Sequence, residues 1–219
     1  MKKQIILLFS FVSLIGIAFF LALPSESEEV KTDEIEFDNG MKDHIFNGNH
    51  MVVDSKMREY NELNDVESES DVIIVAEKIK QSEPIVERDE LGNLLIVYTL
   101  SDVKVEKVIQ GDIEPNTTIS VFENEGYDDK TAMNYHIAGY EMMKTGNKYL
   151  LFLRKSKTHD NYIPSGLSYG KVPLGEEQSQ LRNSINSANT EYSHELNGVY
   201  ETVQEIHKDA LNKYGNQLQ

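Results

Sequence analysis

The chain has 219 residues, no cysteine and a formal net charge of −16. That length holds one ordinary domain with accessory segments, and the missing cysteine excludes a disulfide framework, a thiolate metal site, a cysteine nucleophile and a lipidated N-terminal cysteine. The acidic balance counts against nucleic acid as a partner, because phosphate binding begins with clustered Lys and Arg.

The first element in chain order is an apolar leader. Lys2 and Lys3 precede Ile5 to Leu23, a run of 19 residues without a charge. As a helix it covers ~28 Å, close to the hydrocarbon thickness of a bilayer. A cleaved signal peptide usually has a shorter apolar region ending in a small-x-small site. Here Phe20 spoils the site that would end at Ala22, and the substitute at Ser25-x-Ser27 lies beside Pro24. The leader therefore reads as an uncleaved single-pass anchor, residues 1–24, with the two lysines cytoplasmic and the rest of the chain extracytoplasmic. If it is cleaved instead, the chain is secreted.

Residues 25–59 read as an acidic linker. From Ser25 to Ser70 there are 14 Asp and Glu against 4 Lys and Arg, which carries −10 of the total charge of −16. Such a stretch is a solvated spacer, repelled by anionic lipid. Within it Ile45, Phe46, Met51, Val52 and Val53 form a local apolar cluster suited to docking on the domain or to a short strand.

A domain is expected over 60–174. Tyr60, Leu63 and Val66 mark one face of a short helix ending near Ser70-Asp71. Val72 to Ile79 is almost continuously apolar and rich in β-branched residues, which predicts a strand buried on both faces. Asp89 to Asn93 supplies turn chemistry before Leu94 to Ile109, a long strand candidate. In its second half Ser101, Val103 and Val105 alternate with Asp102, Lys104 and Glu106, so a bent strand, buried at one end and half-wet at the other, is expected. Further strands are predicted at Thr118–Phe122, Lys148–Leu153, Tyr162–Pro164 and Tyr169–Val172. Short strands without long intervening helices predict a mainly β fold, a closed or partly open antiparallel barrel.

Residues 175–219 form a helical segment. Ten side chains from Leu181 to Tyr214 recur at spacings of three and four, an amphipathic stripe interrupted at Gly198. Ala and Tyr at seam positions favour packing on the barrel over a coiled coil.

Tyr60-x-x-Leu63 before Ser70-Asp71-Val72-Ile73-Ile74-Val75, then Val105-x-x-Val108-x-x-Gly111-Asp112, then Gly146 to Leu153 form an ordered set. Together they resemble small uncharacterised exported domains of bacteria, with an OB-like barrel similar to the tissue-inhibitor-of-metalloproteinase fold. The resemblance spans Tyr60 to Leu174 and implies fold and compartment. The animal inhibitors bind metal through an N-terminal cysteine, which this chain lacks, so that activity does not carry over.

Several motifs suggest chemistry. Gly166-Leu167-Ser168-Tyr169-Gly170 matches the nucleophile elbow G-x-S-x-G, with His194 and His207 downstream as potential bases. The elbow needs a strand before it and a helix directly after it, and Lys171 to Gly175 provides no helix; two glycines shaping a hairpin is the simpler reading. Ser101-Asp102-Val103-Lys104 and Lys144-Thr145-Gly146 match elements of the penicillin-recognising enzymes. In a strand, however, positions three apart point to opposite faces. Glu123, Glu125, Asp128 and Asp129 read as an acidic loop, solvated or holding Ca²⁺ through oxygen ligands. Asp43, His44 and His50 are candidate contributors to a Zn²⁺ site, but no further ligand at motif spacing completes it. Asn116-Thr117-Thr118 is a glycosylation acceptor where the host glycosylates exported chains. The sequence thus assigns no catalytic, cofactor or metal residue. It points to a membrane-tethered binding module with an envelope partner on its barrel or C-terminal helix, and to a cell-surface serine hydrolase at Ser168 as the alternative.

Overall fold

The structure, a computed structural model, describes residues 49–53, 55, 58–175 and 193–218, with the side chains of the last segment from residue 199 onward. The expected anchor at 5–23, the linker residues Asp43, His44, Ile45 and Phe46, and the stripe from Leu181 to Tyr192 lie outside the described residues. Among the described helices, none is long and apolar enough to cross a membrane.

The described chain runs through β1 (Asn49–Val53), α1 (Leu63–Ser68), β2 (Val72–Gln81), β3 (Ile85–Arg88), β4 (Leu94–Gln110), β5 (Thr118–Glu123), β6 (Glu125–Asp128) and β7 (Met133–Ile137). It continues through β8 (Lys148–Lys155), β9 (Tyr162–Pro164), a 3-10 turn at Leu167–Gly170, β10 (Lys171–Pro173) and α2 (Ser193–Tyr214). Five strands close a barrel: β2 pairs β4 and β8, β4 pairs β5, and β9 bridges β5 and β8. The β5–β9 pairing is parallel. The barrel is therefore mixed rather than purely antiparallel, and its strand order is that of an OB-like barrel. Only a parallel β9 can join β5 to β8 here, because β8 already runs antiparallel to both β2 and β9.

Two apolar layers share the walls. Inside the barrel, Val72, Ile74 and Ala76 of β2 meet Val103 and Val105 of β4, Val121 of β5, and Tyr149, Leu151 and Leu153 of β8. Outside, Ile73, Val75, Leu150 and Phe152 pack under α1 and α2 with Tyr60, Leu63, Val66, Val203, Ile206, Ala210 and Tyr214. Alternate residues of one strand thus enter different cores, which is why β2 and β8 are apolar on both faces. The helix α2 packs on the barrel through its stripe and is continuous through Gly198.

The long strand β4 does two jobs. Its second half lines the barrel with Ser101, Val103 and Val105 inward, and register shifts in the β2–β4 ladder mark bulges that bend it. Its first half runs past the barrel and pairs with β3. A separate three-stranded sheet, in the order β1–β7–β6, lies beside this extension, with β1 parallel to β7. Of the apolar cluster, Met51, Val52 and Val53 accordingly form a strand.

Candidate functional site

One region of the barrel is closed by charge rather than by apolar side chains. Lys78 on β2 and Glu123 at the end of β5 are fully buried and 3.1 Å apart. The three ammonium hydrogens of Lys78 have three acceptors: Glu123, the Gln81 side chain at 2.8 Å and the Met143 carbonyl at 2.6 Å. The Glu123 carboxylate also accepts from the Ser101 hydroxyl, the Tyr140 hydroxyl at 3.0 Å and the Met143 amide at 2.7 Å. Burial, followed by the charge of Glu123 and the hydrogen bond to it, raises the Tyr140 phenol well above its ordinary range. Lys171 sits 4.2 Å over the Tyr140 ring. A buried ion pair is tolerated only when its remaining donors and acceptors are satisfied, and these are.

Next to it, Glu125 accepts the Met142 amide at 2.6 Å and approaches His136 Nδ1 at 3.4 Å. Burial works against a charge on His136, but the hydrogen bond and charge of Glu125 outweigh it and raise the imidazole above its ordinary value. His136 Nε2 in turn lies 2.8 Å from His50 Nδ1 of β1, with the two rings stacked at 5.1 Å. On β6, Asp128 is paired with Arg88 of β3.

These contacts correct the acidic-loop reading. Glu123, Glu125 and Asp128 are strand residues with 0%, 1% and 3% exposure, each engaged with a different partner, so neither a solvated loop nor an oxygen cage describes them. No group of three or more potential metal ligands occurs among the described residues. His50 faces His136, and the other two residues of the zinc reading, Asp43 and His44, lie outside the described residues.

The motif residues are placed as follows. Ser101 is buried and donates to Glu123, whereas Lys104 is exposed on the opposite face of β4. Lys144-Thr145-Gly146 forms the turn into β8, with the Gly146 amide donating to the Lys78 carbonyl at 2.8 Å. Asn116 lies exposed in the β4–β5 turn with φ +65°. Gly166 has φ +64°, and a Cβ there would run into the Tyr60 ring; a Cβ at Gly170 would lie 2.6 Å from the Ser165 carbonyl. The two glycines therefore serve a tight turn under Tyr60. His207 reaches Ser168, but its Nε2 donates to the main-chain carbonyl at 2.8 Å. A nitrogen that donates there cannot accept the hydroxyl proton, so this geometry does not pair nucleophile and base. The side chain of His194 lies outside the described residues.

A second feature lies on the outer face of β3–β4–β5. Ile85 opposes Tyr98 and Leu100 opposes Phe122 across the ladders, pointing away from the inward Val97, Thr99 and Val121. All four are half-buried, and Tyr98 stacks on Phe122 at 4.4 Å. At the tip of the β3–β4 hairpin Leu91 is 88% exposed and Leu95 64%. The hairpin turn is held by the Asp89 carboxylate, which accepts the amides of Leu91 and Asn93 and the Asn93 side chain. An ion pair, Lys80 with Asp102, borders the strip toward the barrel. The strip could have been foreseen from the alternation of Tyr98 and Leu100 with Val97 and Thr99, but only together with the β3 and β5 registers.

No family model and no curated protein matches this sequence.

Proposed function

We propose that this chain is a membrane-tethered, extracytoplasmic binding module whose partner docks on the outer face of β3–β4–β5. The observation that carries the reading is the half-buried row Ile85, Tyr98, Leu100 and Phe122, with exposed Leu91 and Leu95 at the tip of the adjoining hairpin. An apolar and aromatic strip with a charged border has the anatomy of a protein-interaction core with its rim. The stripe of α2 is spent on the barrel, which favours the barrel face over the C-terminal helix as the contact surface. The acidic chain disfavours anionic polymers, so the expected partner is an envelope protein.

The anchor half of the proposal rests on the 19 uncharged residues after Lys2 and Lys3. The barrel supports the OB-like half of the resemblance to exported bacterial domains, and the leader supports its compartment. Carbonate-washed membranes should retain the protein, and its recovery as a processed soluble form from the medium would remove the anchor.

The docking half is tested by affinity capture from envelope extract. A protein retained by the wild type and lost with both Tyr98→Ala and Leu91→Ser supports the face; equal retention by both variants rejects it. The serine-hydrolase alternative keeps the G-x-S-x-G sequence at Ser168, while His207 meets the Ser168 main-chain carbonyl rather than its hydroxyl. Fluorophosphonate labelling that vanishes in Ser168→Ala would establish that alternative and displace the binding module.

A further inference from the structure

We infer that β1 is a proton-released latch, docked on β7 while the His50–His136 pair carries one proton or none and detached when both rings are charged. His136 Nδ1 faces two acceptors, the Tyr140 carbonyl at 3.1 Å and Glu125 Oε2 at 3.4 Å, so that nitrogen carries a hydrogen in either charge state. Its other nitrogen, Nε2, faces His50 Nδ1 at 2.8 Å. With His136 neutral, Nε2 accepts from His50; with His136 charged, Nε2 donates and His50 Nδ1 accepts. One hydrogen between the two nitrogens satisfies both cases. A second proton puts two N–H groups face to face, and the hydrogen bond between the rings is lost.

The charges around the pair fix the order of loading. Glu125 on β6 faces both rings, and Glu141, in the segment before β8, acts on His136. Both carboxylates therefore favour the first proton on His136. Burial, and then the charge of His136, hold His50 below its ordinary value, against the weaker pull of Glu125. A ring whose docked form resists protonation contributes docking stability above about pH 6.5 and loses it progressively below. Neither carboxylate lies between the two facing nitrogens.

Beyond its ladder with β7, the strand buries little of its surface. Residues 49–52 of β1 are exposed and Val53 is half-buried. On the same face as the two imidazoles, Asn134 is fully buried with neither side-chain polar atom hydrogen-bonded, and Glu125 Oε1 is likewise unpaired. Unsatisfied buried groups of this kind weaken a docked state. Detachment would free the five residues of β1, Asn49–Val53, to extend the linker by roughly 17 Å at ~3.3 Å per residue, and it would uncover the edge of β7.

Hydrogen exchange on the full-length protein tests the latch. Between about pH 7.5 and about pH 5, protection factors at Met51 to Val53 should fall about tenfold or more, while β2 and β8 stay protected. Protection at Ala138, whose amide donates to the Val53 carbonyl at 2.8 Å, should fall with them. His50→Gln supplies a side chain that can donate or accept but cannot gain the second proton, so it should hold β1 at both pH values. Loss of protection in the wild type should also track the second imidazole protonation seen by NMR, a readout that needs no variant. Wild-type protection that is unchanged at the lower pH, or lost before the second protonation, overturns the latch. So does a His50→Gln protein that releases β1 on acidification as the wild type does.

Discussion

The β2–β8 wall and the β4–β5 wall of the same barrel obey different rules. On the first wall, alternate residues feed two apolar cores, and α1 and α2 cover the outer one. On the second, the inner residues join the barrel core while the outer ones stay half-buried or pair as ions at the surface. One wall is committed to stability on both faces. Among the described residues the other has a face left uncovered, and an uncovered face on a rigid sheet is where binding sites are commonly built.

The largest expected effect breaks the covered wall. Phe152 is fully buried between β8 and α2, so Phe152→Ala should cost about 3–5 kcal/mol in urea unfolding. Phe122→Ala, on the open wall, should cost about 1 kcal/mol. Equal costs would mean that the outer face of β5 is a core after all. Of comparable size is the charged closure. Lys78→Met leaves Glu123 buried without its cation and should cost about 3–5 kcal/mol, whereas the double variant Lys78→Met/Glu123→Gln should recover a large part of that loss.

The contrast between these two predictions follows what the sequence could and could not reveal. Phe152 and its neighbours were legible because a strand apolar at every position has to be buried on both faces, which is a local property. The bend of β4 and the packing of α2 were legible for the same reason, through period two and period three-to-four. Glu123, Glu125 and Asp128 were not. Their partners Lys78 and Arg88 lie 45 and 40 residues away, and nothing local distinguishes a carboxylate with a buried cation from a solvated one. The parallel pairings of β9 with β5 and of β1 with β7 are likewise properties of closure and contact, invisible to periodicity.

A smaller effect probes the cover itself. His207 lies on the buried face of α2, where burial chiefly, followed by the charge of Lys171, pushes its imidazole down to about 4 despite its hydrogen bond to the Ser168 carbonyl. The folded state therefore prefers the neutral ring, and the unfolded chain takes up a proton first as pH falls. Stability is intact above about pH 6.5 and declines toward pH 4, by roughly 3 kcal/mol at most for this group. The urea midpoint of the wild type should follow that window, and the decline should shrink in His207→Gln, which keeps a donor for the carbonyl. An unchanged pH profile in the variant would move the titration to another residue.

The smallest effect on stability should accompany the largest effect on binding. Leu91 and Leu95 touch little of the folded chain, so Leu91→Ser/Leu95→Ser should shift the urea midpoint by no more than about 0.5 kcal/mol equivalent. Their exposure has no structural benefit to offset it, since apolar side chains at a hairpin tip invite association. If the open wall exists to be covered by a partner, the double variant should lose capture of that partner while unfolding like the wild type. A variant that loses both stability and capture would show that the hairpin tip supports the sheet, and the open wall would then be no more open than the covered one. A variant that keeps both would leave the tip outside the interface and confine docking to Ile85, Tyr98, Leu100 and Phe122. Comparing the two midpoints with the two capture yields therefore separates a face built for a partner from a face merely left bare.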